Sequence, residues 1–356
     1  MPPRVTYWTG TFDPAREAIS KEIEALRRAV RPSAPVVSLS SGQGSSLSPR
    51  QRVMRLAGSR WMAFRATAAV LERFGDVTHV FGAMNAWHAL RALGRRPIIF
   101  TVVLPGPALE QALYDKVTVF VAESECLADD LRRAGIDEGK IRVIYPGVDL
   151  AEYKPVARAA NDRFKILFAS APAHASEFAV RGIPLLVELA RLCPEIDVTL
   201  LWRSWGDQQA AQREFANLNP PQNIRIEMRR GRSMASIYQH ADAVACLYES
   251  GFGKSCPNSV IEALACGVPA LVSDTCGIAG MIARGGAGIA TPRQPGDVAA
   301  AARTLRREHT QYAEAARRLA ERHFDIRQFV ADYARLYQHL PDAVRQSVPV
   351  EHSQVI

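Results

Sequence analysis

Between Lys254 and Asp274 the chain reads KSCPNSVIEALACGVPALVSD, and a single carboxylate, Glu262, sits inside its apolar run. Asn258 lies four positions earlier, so on a helix the two share a face. A carboxylate placed there offers two acceptor oxygens to a vicinal diol, such as the 2′ and 3′ hydroxyls of a ribose. The unpaired N–H groups of the same helix's first turn suit a phosphate. A plainer reading uses the same residues: Ser259 and Glu262 have the spacing of a capping box, with VIEALAC as a buried helix. Spacing alone favours the capping box.

The elements that would position this stretch are legible. DAVACLY reads as a strand, ESGFGK as a glycine loop, and the helix after it carries Pro257 in its first turn, where a missing N–H costs nothing. Gly267 stops that helix and Pro269 prevents its continuation. Upstream, RVTYWTG, APVVSLS, VTHVFG, RPIIFTVV and VTVFVAES read as strands alternating with helical patterns, the sign of βα units around a parallel sheet. SECLADDLRRAG is a helix with Ser124 as N-cap, and KIRVIYPGVDLAEYKP closes the first half.

The alternation lapses in the polar, Ala-rich YKPVARAAND and restarts with RFKILFAS, DVTLLW, NIRIEM, DAVACLY and PALVS. Residues 1–155 and 156–324 are therefore expected to form two doubly wound α/β domains across a cleft. A helix over 325–340, with Asp325 and Gln328 spaced as a capping box, is expected to pack back on the N-terminal domain, and 341–356 form a loose tail. In such sheets ligands bind beyond the carboxyl ends of the strands.

Composition bounds the function. With 356 residues, 48% of them hydrophobic, the chain has the length of two globular domains. Its formal charge of +8 favours anionic partners, although a solvated arginine-rich surface explains it equally. No run approaches the roughly 18 apolar residues of a spanning helix, and MPPRVTYWTG lacks a signal peptide's apolar segment, so a cytoplasmic location is expected. Cys256, Cys266 and Cys276 are evenly spaced, but no CxxC pair or companion histidine completes a metal site. The N-terminal strand lacks the GxGxxG of a dinucleotide-binding dehydrogenase.

Three segments, in order, resemble the family-4 retaining glycosyltransferases, whose GT-B fold is two facing Rossmann-like domains. YESGFGKSCPNSVIEALACGVPALVSDTCGIAGMI is similar to their sugar-nucleotide signature. VTVFVAESECLADDLRRAGIDEGKIRVIYPGVDLAEYKP resembles the segment ending their N-terminal domain, and RGIPLLVELARLCPEIDVTLLW their Lys-Gly helix and next strand.

The resemblance implies transfer of a sugar from a nucleoside-diphosphate sugar to an acceptor hydroxyl with retention, without a metal or other cofactor. The charge growing on the departing diphosphate must then be met by fixed cations and N–H groups. Arg181 matches the family's phosphate-binding lysine, and Glu262 its ribose glutamate. Gly253, Ser255, Asn258 and Ser259 line the donor loop and helix start by the same likeness. Where many members carry a glutamate eight positions before the ribose glutamate, this chain has Lys254; Glu249 is a nearby substitute. The family's Gly-Arg pair is replaced by Ser170–Pro172, leaving Lys254 or Arg203 to compensate. The family's histidine after IIFTVV is absent, near Val103, and His79 and His88 are read as structural. Gly10 resembles the family's glycine loop, and MRRGRS, from Met228 to Ser233, falls where the family seats the base.

Acceptor choice is assigned to the N-terminal half. Arg50, Arg52, Arg55, Arg60 and Arg65 mix there with Trp61, Met62 and Phe64, and spread around the axis when drawn as one helix. A membrane-surface helix and an acceptor-facing flap both stay open. The expected partners are the donor and a sugar, lipid-linked or small-molecule acceptor, with weak membrane-surface association at the inner face and no nucleic acid. Competing readings are a nucleotide-sugar-binding protein without turnover, and another GT-B enzyme such as an epimerase.

Overall fold

The computed structural model describes residues 3–15, 17–40, 45–57, 60–85, 87–108, 110–157, 163–202, 206–228 and 231–346. They divide into two compact units, residues 1–144 with 327–356, and residues 145–326.

The first unit is built on a sheet of eight strands: β1 Val5–Thr9, β2 Val36–Ser40, β3 Ser46–Ser48, β4 Val53–Ala57, β5 Val77–Ala83, β6 Ile98–Leu104, β7 Val119–Ala122 and β8 Ile141–Val143. Their order is β3-β4-β2-β1-β5-β6-β7-β8, and only the β3–β4 pair is antiparallel. Trp8, Phe64, Phe100, Tyr114 and Phe120 fill the core on one face.

β3 and β4 fall in the stretch where the arginines had been drawn on one helix. The turn Pro49–Arg52 and the strand VMRLA take Arg50, Arg52 and Arg55, and the helix starts only at Trp61. Arginine interrupts the apolar alternation there, so the strand is set by pairing with β2 from Val36 to Ser40 and not by local pattern.

The C-terminal helix Ile326–Gln346 buries Phe329, Tyr333, Tyr337 and Leu340. The Tyr333 hydroxyl lies 2.7 Å from Thr101 Oγ1, and Tyr337 2.7 Å from His79 Nδ1; His79 Nε2 meets Thr101 at 2.8 Å. Burial drives the His79 imidazole well below its ordinary pKa, so it is a neutral link in this network.

The second unit holds six parallel strands: β9 Phe164–Phe168, β10 Ile196–Trp202, β11 Ile224–Met228, β12 Ala243–Cys246, β13 Ala270–Ser273 and β14 Gly288–Thr291. Their order is β11-β10-β9-β12-β13-β14, a doubly wound sheet whose direction of winding reverses between β9 and β12. Both faces are covered: Ile166 and Phe168 of β9 enter one core and Leu167 the other, while Ala243 and Ala245 oppose Val244 and Cys246 in the same alternation. β14, with the unpatterned sequence GIAT, gave no strand signal in the sequence and is recruited by β13.

The unit begins at Tyr145. The Val148 amide donates to the Phe324 carbonyl at 2.7 Å, and the Ile326 amide to the Val148 carbonyl at 3.0 Å.

Candidate active site

β9 and β12 pair only at Ile166–Ala243 and Leu167–Val244. The ladder stops before either strand ends, and this parting at the switch point opens a crevice beyond the carboxyl ends. Ser170 follows β9, Tyr248 follows β12, and the short helix Phe178–Arg181 brings Arg181 to the same place.

These three side chains meet. Arg181 donates through NH1 to Ser170 Oγ at 2.5 Å and through Nε to Glu177 Oε2 at 2.7 Å. The Tyr248 hydroxyl donates to Ser170 Oγ at 2.5 Å. A hydroxyl that accepts from two donors keeps its own proton to give. The Tyr248 phenol is pushed far above its usual range, first by burial and then by the neighbouring Cys246 thiol, so it stays a donor. The guanidinium also lies 5.1 Å from the centre of the Phe252 ring, whose edge-to-face partner is Tyr248. Only 12% of the Arg181 side chain is exposed, and among the described residues no hydrogen bond claims its NH2.

Gly182 fixes that arginine. It adopts φ +77° between the helices Phe178–Arg181 and Ile183–Leu192, and a Cβ there would lie 2.5 Å from the Leu247 carbonyl oxygen. A side chain would therefore push the turn away from the end of β12. The Glu249 amide donates to the Val180 carbonyl at 2.8 Å, tying the loop after β12 to the same turn.

The glycine loop is shaped by Gly251 at φ +77° and Gly253 at φ +74°; a Cβ on Gly253 would press on the Tyr248 ring at 3.0 Å. Lys254 Nζ donates to Asn258 Oδ1 at 2.9 Å, so the cation found where the resemblance expects a carboxylate rests on the first residue of the helix Asn258–Ala265. Glu249 is 54% exposed, with Arg293 NH1 3.9 Å from its Oε2. Ser255 is buried behind Gly277, where a Cβ would strike Ser255 Oγ at 1.8 Å.

The helix corrects two details. Pro257 is its N-cap, one position before the first helical residue, and no side chain caps it. Ser259 is thus inside the first turn, and the capping-box reading fails. Its other end is as expected: Gly267 at φ +73° lets the Val268 amide reach the Ala263 carbonyl at 2.9 Å, and Arg317 NH1 donates to the Ala265 carbonyl at 2.6 Å.

Glu262 is only 7% exposed, and the phenols of Tyr153 and Tyr238 lie close enough to feel its charge. Burial, then the Glu262 charge, drives both phenols far above their usual range, so both keep their protons.

Of the residues named from sequence, Arg181 and the backbone of Glu249 meet at the turn before Gly182, Lys254 and Asn258 form a pair, and Glu262 lies beside Tyr153 and Tyr238. Gly10 is at the end of β1 in the first unit, exposed, with open space where a Cβ would stand. Arg203 lies outside the described residues, as do Arg229 and Arg230 of MRRGRS. Sequence reasoning missed Glu177, Tyr248 and Arg293. The i,i+4 spacing of Glu177 and Arg181 was the available signal for the first. Tyr248 and Arg293 carry no local signal, because Arg293 acts by donating to the Leu247 carbonyl at 3.1 Å and the Ala179 carbonyl at 2.5 Å. Among the described residues no cluster of three His, Cys, Asp or Glu is placed to hold a metal ion.

A crevice at the switch point of a doubly wound sheet, with a fixed arginine and hydroxyl donors at its edge, marks a ligand-binding α/β protein, and those groups suit an anion. The sequence pattern of Glycosyltransferase Family 4 matches residues 36–152, and that of Glycosyl transferases group 1 matches residues 163–308. The chain belongs to the family-4 GT-B glycosyltransferases.

Its fold is shared with solved structures of low identity. The sucrose-phosphate synthase of Thermosynechococcus elongatus is 18% identical, with a TM-score of 0.74 over 96% of this chain and 100% of that one. HepE of Anabaena in complex with UDP and glucose is 14% identical, with a TM-score of 0.71 over 94% of this chain and 99% of that one. A glycosyltransferase from Rickettsia africae is 14% identical, with a TM-score of 0.73 over 96% and 99%. Among curated proteins no sequence matches significantly.

Proposed function

We propose that this glycosyltransferase moves a hexose from a nucleoside-diphosphate sugar to an acceptor hydroxyl, with retention of anomeric configuration and without a metal or other cofactor. The observation that carries the reading is the Arg181–Ser170–Tyr248 junction at the switch point. It gathers a guanidinium and hydroxyl donors where negative charge would grow as the anomeric C–O bond breaks and the acceptor C–O bond forms. The proton of the acceptor hydroxyl leaves on the diphosphate released.

In this reading Arg181 NH2 and the Ser170 proton take phosphate oxygens, joined by the first-turn N–H groups near Asn258 and Ser259. Lys254 supplies the second cation in place of the family's Gly-Arg pair. Glu262, with Tyr153 and Tyr238 beside it, offers its carboxylate to the ribose diol. Glu249 faces the donor sugar, and Gly253 and Ser255 shape the loop against it. Uridine is the base to try first, since HepE was solved with UDP.

Thermal shift and slow donor hydrolysis across a panel of nucleotide sugars test this. Stabilisation and hydrolysis by one donor class support it. Stabilisation with neither hydrolysis nor transfer to any acceptor tried moves the chain to a binding protein without turnover.

A cytoplasmic site with peripheral attachment to a membrane belongs to the same proposal, and one feature favours a lipid-linked acceptor. The helix Trp61–Phe74 exposes Met62, Ala66, Val70 and Phe74 at every fourth position, with Arg65 and Arg73 exposed beside them. Its carboxylate, Glu72, is buried and accepts from Thr78 and from the Gly94 and Arg95 amides. An apolar stripe edged by arginine suits an anionic bilayer surface. Among the described residues no helix is long and apolar enough to cross a membrane.

A further inference from the structure

The first unit contains an open cavity of about 620 Å³ beside the helix Ala18–Val30, bordered by the loop after β1 and the turn leading into β4. Five arginines line it: Arg27, Arg28, Arg50, Arg52 and Arg55. The carboxylates in its wall are Asp13 and Glu24. Glu24 is engaged by Arg27 at 2.8 Å and Arg28 at 3.0 Å, and Asp13 Oδ1 accepts the Ala15 amide at 3.2 Å.

The arginines are oriented chiefly by neutral groups. Arg27, nearly buried, donates to the Ala34 carbonyl at 2.9 Å and the Gln51 carbonyl at 2.7 Å. Arg55 donates through Nε and NH2 to the Phe12 carbonyl at 3.3 and 3.0 Å, and Arg52 NH1 to the Ser33 carbonyl at 3.1 Å. Carbonyl acceptors fix a guanidinium without cancelling its charge. Arg50 is exposed and, among the described residues, makes no ion pair or hydrogen bond. Arg52 holds φ +51°, a left-handed conformation that costs a residue with a Cβ and that gathers at functional sites.

We propose that this cavity binds a phosphorylated ligand, a phosphomonoester or diphosphate, carried by a small molecule or by a lipid headgroup. A multiply charged phosphate matches several forked donors with uncompensated charge, which a single carboxylate does not. Every residue of the wall belongs to the first unit, whereas Arg181, Lys254 and Glu262 belong to the second. The inference therefore stands apart from the donor assignment.

The test titrates inorganic pyrophosphate calorimetrically into the full chain, into an Arg50→Ala/Arg52→Gly double variant and into Arg181→Ala. Glycine suits the left-handed backbone at 52, so the double variant is expected to fold, which its melting point checks; if it does not, Arg50→Ala alone carries the comparison. Loss of charge-assisted bonds should weaken pyrophosphate binding at this cavity about tenfold or more in the double variant, whereas Arg181→Ala should lose only the binding that the donor site contributes and keep the binding that the double variant loses. A second arm sediments the protein with phosphatidylcholine vesicles with and without phosphatidic acid. Retention on phosphatidic acid that the double variant loses, without pyrophosphate binding, makes the source a lipid phosphate and supports the proposal. Binding lost in Arg181→Ala and kept in the double variant overturns it, as does equal binding, or none, by wild type and double variant in both arms.

Discussion

The guanidinium of Arg181 reaches the hydroxyl of Ser170 at 2.5 Å, across the end of β9. Ser170 stands in the segment where the family resemblance expects a second cation. In this chain that segment orients the remaining cation, with Tyr248 holding the same hydroxyl from the end of β12.

Arg181→Ala should weaken binding of the nucleotide-sugar donor by about 1.5–3 kcal/mol, the worth of a hydrogen bond to a charged group. Arg181→Lys should recover part of it, since an ammonium cannot bond Glu177, Ser170 and a phosphate in one plane. Calorimetry with the donor that gives the largest thermal shift reads both. Equal affinity for wild type and Arg181→Ala would remove this residue from the site.

Glu262→Ala should lower folding stability by about 1–3 kcal/mol, since it removes a buried acceptor beside the Tyr153 and Tyr238 phenols. Glu262→Gln keeps one acceptor oxygen and should cost less, and it is the better probe of the donor. Denaturant titration gives the first effect and donor calorimetry the second. Unchanged donor affinity in Glu262→Gln and Glu262→Ala alike would make this carboxylate a structural anchor only.

Gly182→Ala combines a left-handed backbone with a Cβ 2.5 Å from the Leu247 carbonyl oxygen. The strain should cost about 1–3 kcal/mol of stability. Donor affinity should fall with it, because Arg181 is the adjacent residue. A melting temperature equal to wild type would show that the turn relaxes freely.

His79 gives stability a pH dependence of defined sign. Its folded pKa is depressed from 6.5 by burial, within a shell of Tyr7, Phe81, Thr101, Tyr333 and Tyr337. The unfolded chain takes up the proton that the fold excludes, so this contribution is complete above about pH 6.5 and is lost as pH falls below it, by up to about 1.4 kcal/mol per unit. His79→Gln should be less stable at neutral pH and show a shallower acid slope in guanidinium titrations. An unchanged slope would assign the acid sensitivity to other groups.

Met62→Glu/Phe74→Glu should abolish flotation with anionic vesicles if the Trp61–Phe74 helix meets a bilayer, and should leave the melting temperature near wild type, since both side chains are exposed at 74% and 63%. Flotation that survives the double substitution would place any membrane contact elsewhere.

Local chemistry carried much of this architecture. Runs such as IIFTVV and VTVFVAES have β-branched side chains that read as strands in any context, and they appear as β6 and β7. Gly267 marks a left-handed turn because few other residues tolerate it, and the end of the helix before it was legible for that reason. Spacing on one helix face made Asn258 and Glu262 candidates, and Arg181 became one through the family resemblance.

Other features have no local cause. β4 and β14 are strands because neighbouring strands recruit them. Ser170 and Tyr248 are 78 positions apart, and the phenols beside Glu262 come from Tyr153 and Tyr238, far from it in the chain. The arginines of the first unit were legible as charge but not as a cavity, because carbonyls of distant turns aim them. Backbone preferences act within a few residues and are written in the sequence, whereas which side chains meet depends on strand order and register, and these exist only once the sheets have assembled.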